Sequence, residues 1–184
     1  MYFPYVRGRQ YELLALRDLA TNNLLGNYVT PIVEPVKLSP TLVTTISEYI
    51  KMNHLIAIIR NPLVGSFLKD LKEAKDGSKE ASYKNNFQEY CKEATVIPSV
   101  IMQANTPSLL SHLDKCGVSK NDLLAININR DYLDMYEHEF GTTYPRYVLI
   151  PDESAFRRRI KRNRVILDNK FEKQDRNVEI GRAS

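Results

Sequence analysis

Apolar residues along the chain fall into two rhythms. Runs at Val29–Val36, Leu55–Ile59, Val96–Met102, Leu123–Ile128, Tyr147–Ile150 and Arg164–Leu167 are rich in branched side chains. Several, such as Leu55-Ile56-Ala57-Ile58-Ile59 and Val96-Ile97-Pro98-Ser99-Val100-Ile101-Met102, are apolar at consecutive positions, as strands of a parallel sheet covered on both faces are. Between these runs the spacing becomes helical: Leu42, Val43, Ile46 and Ile50 make one stripe, Leu109, Leu110 and Leu113 another. Ahead of the first run, Leu13, Leu14, Leu16 and Leu19 predict a helix that Asn22-Asn23 and Gly26-Asn27 end. Regular alternation of strand and helix, joined by right-handed crossovers, predicts a single α/β domain over residues 1–177. The expected architecture is an incomplete TIM-type barrel with about six or seven parallel strands, and an open doubly wound parallel sheet is the alternative. Residues 178–184 carry no periodicity and are expected to form a disordered tail.

An internal repeat sharpens this expectation. Shifted by 67 positions, Val29, Pro31, Val33, Ser39, Pro40, Leu42 and Val43 fall on Val96, Pro98, Val100, Thr106, Pro107, Leu109 and Leu110. Each copy reads as a strand followed by a helix that opens with a hydroxyl N-cap and a proline. A second step of the same length puts Leu167 on Val33 and Asp168 on Glu34, which would place both acids at one rim of the sheet. The segment from Arg60 to Phe87, with Asn61-Pro62, Gly65-Ser66 and Asp76-Gly77-Ser78, reads as a loop followed by a polar helix.

Composition narrows the class. The 184 residues are 43% hydrophobic and 26% charged, with seven Gly and nine Pro, which excludes collagen-like and low-complexity chains. No apolar run reaches the length that spans a bilayer, and the amino terminus lacks the pattern of a secretory signal. Cys91 and Cys116, both within helical segments, read as small core residues of a reduced, cytoplasmic protein, and no membrane partner is expected. Charge is uneven: residues 1–154 hold 16 Lys and Arg against 18 Asp and Glu, whereas residues 155–184 hold 10 against 4. The densest stretch offers Arg157, Arg158, Arg159, Lys161, Arg162 and Arg164 either as a surface for nucleic acid or as a solvated helix face.

Candidate chemistry gathers where strands end. Glu34 follows Pro31-Ile32-Val33 and precedes Pro35-Val36-Lys37, so it is either a general base or metal ligand beside Lys37, or an acid paired to close the strand end. Arg60-Asn61 and Asp168-Asn169-Lys170 repeat the theme at later strand ends, and Asn127 and Asn129 add polar groups after Leu123–Ile126. Arg7 and Arg9, separated by Gly8, are either anion clamps at the rim or partners of acids such as Glu12. Motifs of serine hydrolases, P-loops, dinucleotide folds and zinc sites are absent, and His54, His112 and His138 lie far apart in sequence.

These residues also carry a resemblance. Tyr2-Phe3-Pro4-Tyr5, Arg7-Gly8, Gln10, Glu12-Leu13 and Ala15-Leu16, then Pro31 to Lys37, Asn61-Pro62 with Gly65, and the closing Asp168, Phe171, Gln174 and Arg176-Asn177 resemble the uncharacterised bacterial and phage sce-locus family, itself similar to the beta protein family. The resemblance implies a barrel-like α/β fold, a setting among mobile elements or phage-defence islands, and no established activity. Its signature positions are Arg7, Gln10, Glu12, Glu34, Lys37, Asn61, Asp168, Gln174, Arg176 and Asn177. Family members continue well past the Arg-Asn pair, so this chain is expected to be truncated, naturally short, or completed by a partner protein or a second copy, with a dimer as the default.

Three functional readings follow. The leading one is a binding or regulatory module recognising a phosphate-bearing ligand, such as a nucleotide, or a protein partner at the rim through Arg7, Arg9, Arg60, Asn61, Lys170, Gln174, Arg176 and Asn177. The second is a phosphodiester hydrolase in which Glu34 and Asp168 hold Mg²⁺ while Lys37, Arg60 or Arg176 steadies the phosphate. The third is nucleic-acid binding through the basic segment 157–164.

Overall fold

Every apolar run becomes a strand in the computed structural model, which describes residues 1–167. Seven strands form one sheet: β1 (Tyr5–Gly8), β2 (Ile32–Pro35), β3 (Ile56–Ile59), β4 (Val96–Ile101), β5 (Leu124–Ile126), β6 (Tyr147–Pro151) and β7 (Arg164–Leu167). Their spatial order equals their sequence order and every neighbouring pair is parallel. A doubly wound sheet requires the order to reverse at a switch point, so that alternative is excluded. The sheet instead curls into a half-barrel, an incomplete barrel with helices between its strands.

Seven helices connect the strands: α1 (Gln10–Thr21), α2 (Pro40–Lys51), α3 (Phe67–Glu73), α4 (Lys79–Tyr90), α5 (Thr106–Lys115), α6 (Leu133–Phe140) and α7 (Ser154–Arg159). The excursion after β3 thus holds two helices where one was expected, and the Phe67 and Phe87 rings, 5.2 Å apart, join them. Strand alternation divides the apolar side chains between three clusters. Val33, Ile56 and Ile58 face outward and pack with Leu13, Leu42, Ile46 and Tyr49 of α1 and α2. Val100, Ala125 and Val148 do the same with Leu110, Leu133, Phe140 and Phe156. Ile32, Ala57, Ile59, Ile97, Leu124, Ile126 and Leu149 point inward and fill the interior together with Phe3.

Local rules account for the apparent irregularities. Pro98 lies inside β4, where a proline normally removes a ladder bond. Thr95 and Ser99 turn their carbonyls to β3, accepting from Ile56 and Arg60, so Pro98 presents its nitrogen to the β5 side before β5 begins. The repeat holds for strand and proline but not for capping chemistry. Ser39 caps α2, its Oγ accepting from the Leu42 amide at 3.2 Å. Thr106, its counterpart, sits one residue inside α5; its hydroxyl donates back to the Ile101 carbonyl at 3.1 Å and accepts from the Gln103 amide at 2.9 Å. The further step fails in register, because Leu167 packs on the interior whereas Val33 and Val100 face helices. Cys116 also departs from expectation: it is exposed at the end of α5 instead of lying in the core.

Candidate functional site

Parallel pairing sets Arg7 opposite Glu34 at the carboxyl end of β1 and β2. Glu34 shares its strand face with Ile32, so its carboxylate turns into the mouth of the half-barrel, where it is only 4% exposed. A charge buried there needs donors. The Tyr5 hydroxyl donates to Oε2 at 2.9 Å, and the Leu63 amide donates to Oε1 at 2.8 Å. Burial, reinforced by the bond to Glu34 and that carboxylate's charge, raises the Tyr5 hydroxyl above its ordinary range, with the nearby Arg7 opposing. The Tyr5 hydroxyl is therefore a fixed hydrogen-bond donor, and the carboxylate is held by β1, by its own strand and by the loop after β3.

That loop is locked to the loop after β2. The Val36 carbonyl accepts from the Ser66 amide at 2.7 Å and the Phe67 amide at 3.1 Å. Asp70 accepts from the Leu38 amide at 3.0 Å and the Ser66 hydroxyl at 3.1 Å. Gly65 makes the contact sterically feasible: its φ is +81°, and a Cβ would stand 2.0 Å from the Val36 oxygen. Gly8 plays a milder part at the end of β1, where a Cβ would meet the Val33 methyl at 3.0 Å.

Asn61 stands two residues after β3, on the inward side of the alternation, and is buried. Its side chain acts as a strand backbone, donating to the Ile101 carbonyl at 2.7 Å and accepting from the Ile101 amide at 2.9 Å. Gln103 then donates to the Asn61 carbonyl at 3.1 Å. Asn127 is buried with Nδ2 at 3.4 Å from the Tyr132 carbonyl, and Asn129 caps the short turn after β5 by accepting from the Asp131 amide at 3.0 Å.

The structure brings together Arg7, Glu34 and Asn61 as inward-facing positions at the ends of adjacent strands, with Lys37 on the loop beyond β2. Arg7, Arg9 and Lys37 are exposed and make no ion pair among the described residues; Glu12 accepts only from the Arg9 backbone amide, at 3.2 Å. Arg60 does not join them. Alternation sends it to the outer face, where its guanidinium carbon lies 5.4 Å from the Phe87 ring centre and Nη2 reaches the Cys91 carbonyl at 3.5 Å. Asp168, Lys170, Gln174, Arg176, Asn177 and the tail 178–184 lie outside the described residues, as does half of the expected Mg²⁺ pair. No group of three or more His, Cys, Asp or Glu side chains stands close enough to hold a metal among the described residues.

The basic segment is partly spoken for. Arg159 is paired with Asp134 and Glu137 on α6, and its hydrogen bond holds the Glu137 carboxyl below its ordinary range. Arg157 pairs with Asp152, Arg158 bonds Ser154, and Arg164 donates to the Arg157 carbonyl at 3.2 Å. Arg162 lies 4.6 Å from the Tyr144 ring centre, and Lys161 is exposed.

Sequence reading missed Tyr5, the Leu63 amide, Gln103 and Asp70. Tyr5 carried a signal, since it stands two residues before Arg7 on the same strand face; the others depend on loop geometry. Fold and site together define a parallel α/β half-barrel with a cationic mouth. No protein-family model, curated protein or solved structure matches the chain. No helix of the described residues is long and apolar enough to cross a membrane.

Proposed function

We propose that the protein is a binding module whose carboxyl-terminal rim takes a phosphate-bearing ligand. The supporting observation is the set of Arg7, Arg9 and Lys37: exposed cations beside a buried acid whose oxygens are already met by Tyr5 and Leu63. Guanidinium groups with no ion pair among the described residues suit phosphate oxygens, and the amino ends of α1 and α2 open toward the same rim. Glu34 then works as a positioning residue, fixing the mouth on which the cations stand. The likeness of the Tyr2–Leu16 and Pro31–Lys37 motifs to the sce-locus family supports a setting among mobile elements or phage defence.

Calorimetric titration with inorganic pyrophosphate and with a nucleoside diphosphate tests the reading. Saturable binding is expected, weakened at least about tenfold in Arg7→Ala and again in Lys37→Ala, the loss of one charge-assisted contact each. Absence of binding to both ligands, or affinity in both variants unchanged from that of the unaltered protein, overturns it. Cleavage of a phosphodiester that requires added Mg²⁺ would move the rim to the hydrolase reading.

A further inference from the structure

The outer helix layer is split. The cluster around α1, α2 and α4 and the cluster around α5, α6 and α7 are separate, and between them a cleft of about 1120 Å³ opens over β4. It extends from Leu68 and Leu71 of α3, past Phe87 of α4 and Pro98 of β4, to Leu113 and Val118 around the end of α5. This size is slightly above that of most small-molecule sites, leaving room for a long ligand, and its walls have the mixed character of such sites: apolar side chains with a few convergent polar groups.

Arg60 stands in this cleft with its needs unmet. Among the described residues Nε is shut off from solvent without an acceptor, and the bond from Nη2 is long, at 3.5 Å. No carboxylate pairs with Arg60 among the described residues. A guanidinium that is partly desolvated and short of acceptors gains more from an entering anion than an exposed one does. Charge around it has the matching sign. Lys92 is engaged by Glu89 at 2.7 Å, which leaves Lys72, Lys84, Arg146 and Arg60 against Glu93 and Asp122 on the lining. The thiol of Cys91 beside Arg60 is pushed up to about 11, chiefly by burial, so it supplies no competing anion near neutral pH.

We infer that this cleft binds an apolar carboxylate of the fatty-acid type, its chain on Phe87, Leu113 and Val118 and its head group on Arg60. The planar guanidinium fork fits a carboxylate, and the cleft lies on the outer face of the sheet, away from the rim cations. The site is thus independent of the phosphate reading.

A fluorescent long-chain polyene fatty acid is the probe. Emission should rise saturably on titration into the full chain, be displaced by a saturated fatty acid, and resist displacement by the alcohol of equal chain length. Arg60→Met, which keeps the stem on Phe87 and removes the charge, should weaken binding by about tenfold while retaining a cooperative thermal transition. Arg7→Ala should bind the probe normally. No saturable signal, equal displacement by alcohol and acid, or unchanged affinity in Arg60→Met overturns the inference. Should Arg60→Met not fold, the comparison of acid with alcohol on the unaltered protein decides alone.

Discussion

Glu34 shows how a single residue can be conspicuous in sequence and still have its role decided elsewhere. An acid between prolines at the end of an apolar run is costly unless met, which is why it stood out; what meets it lies 29 positions away on either side, in Tyr5 and Leu63. Those partners follow from strand register and a loop path, neither of which local pattern contains. Arg60 and Asn61 teach the complementary lesson. Adjacent in sequence and read as one rim pair, they are parted by strand alternation, one to the outer cleft and one to the interior. Because both Glu34 oxygens accept bonds in a buried site, Glu34→Met should lower stability by about 1–3 kcal/mol, the Leu63 amide and the Tyr5 hydroxyl both losing their acceptor. Tyr5→Phe should cost less, and the double variant should fall short of the sum, since the two share one bond. Chemical denaturation of all three proteins checks this. Strict additivity would mean that Tyr5 and Glu34 do not act together.

At the level of elements, strands were the most legible features and connections the least. Consecutive apolar residues marked β2 through β6 because parallel strands under helices have no polar face to show. The 67-residue repeat found two genuine strand-helix units, yet Ser39 caps its helix while Thr106 bonds back to β4. A one-residue difference in helix start is enough to change a cap into a strand clasp, and sequence similarity does not register it. Asn61-Pro62 and Gly65-Ser66 made the loop after β3 legible as a loop, but not its contact with Val36. Gly65 combines a left-handed backbone with a Cβ position 2.0 Å from the Val36 oxygen, so an alanine there is strained and also forces apart the loops that position Glu34. Gly65→Ala should destabilise the protein by roughly 2–4 kcal/mol. It should also weaken pyrophosphate binding at the rim more than an alanine at Gly77, whose Cβ would meet nothing within 4 Å. Thermal melting and titration of the two variants separate the effects, and equal losses would show that the loop contact does not shape the rim.

For the whole molecule, the charge imbalance toward the carboxyl end was plain from counting, but its meaning was not. Arg159 and Arg157 find their acids on α6 and just before α7, so part of the apparent basic surface is neutralised within the fold. Net counts cannot show this, because the compensating residues belong to the acidic part of the chain. The interior joins distant segments more tightly still. Phe3, just before β1, and Tyr147, at the start of β6, meet with ring centres 4.9 Å apart, and the Tyr147 hydroxyl reaches the Met1 sulfur at 3.0 Å. Two strands that are far apart in the sheet order are thus tied across the amino end of the half-barrel, although no ladder bond joins them. If the interior is one cooperative unit, loosening it at Phe3 must be felt in β6. Phe3→Ala should cost about 3–5 kcal/mol, as other large buried aromatic truncations do. Native-state hydrogen exchange should then speed up in Tyr147–Pro151 as well as in Tyr5–Gly8, while α2, which packs on the outer cluster, keeps most of its protection. Faster exchange confined to β1 would show instead that the two ends of the sheet open independently, and that curling alone, without the Phe3–Tyr147 contact, holds the amino end of the half-barrel together.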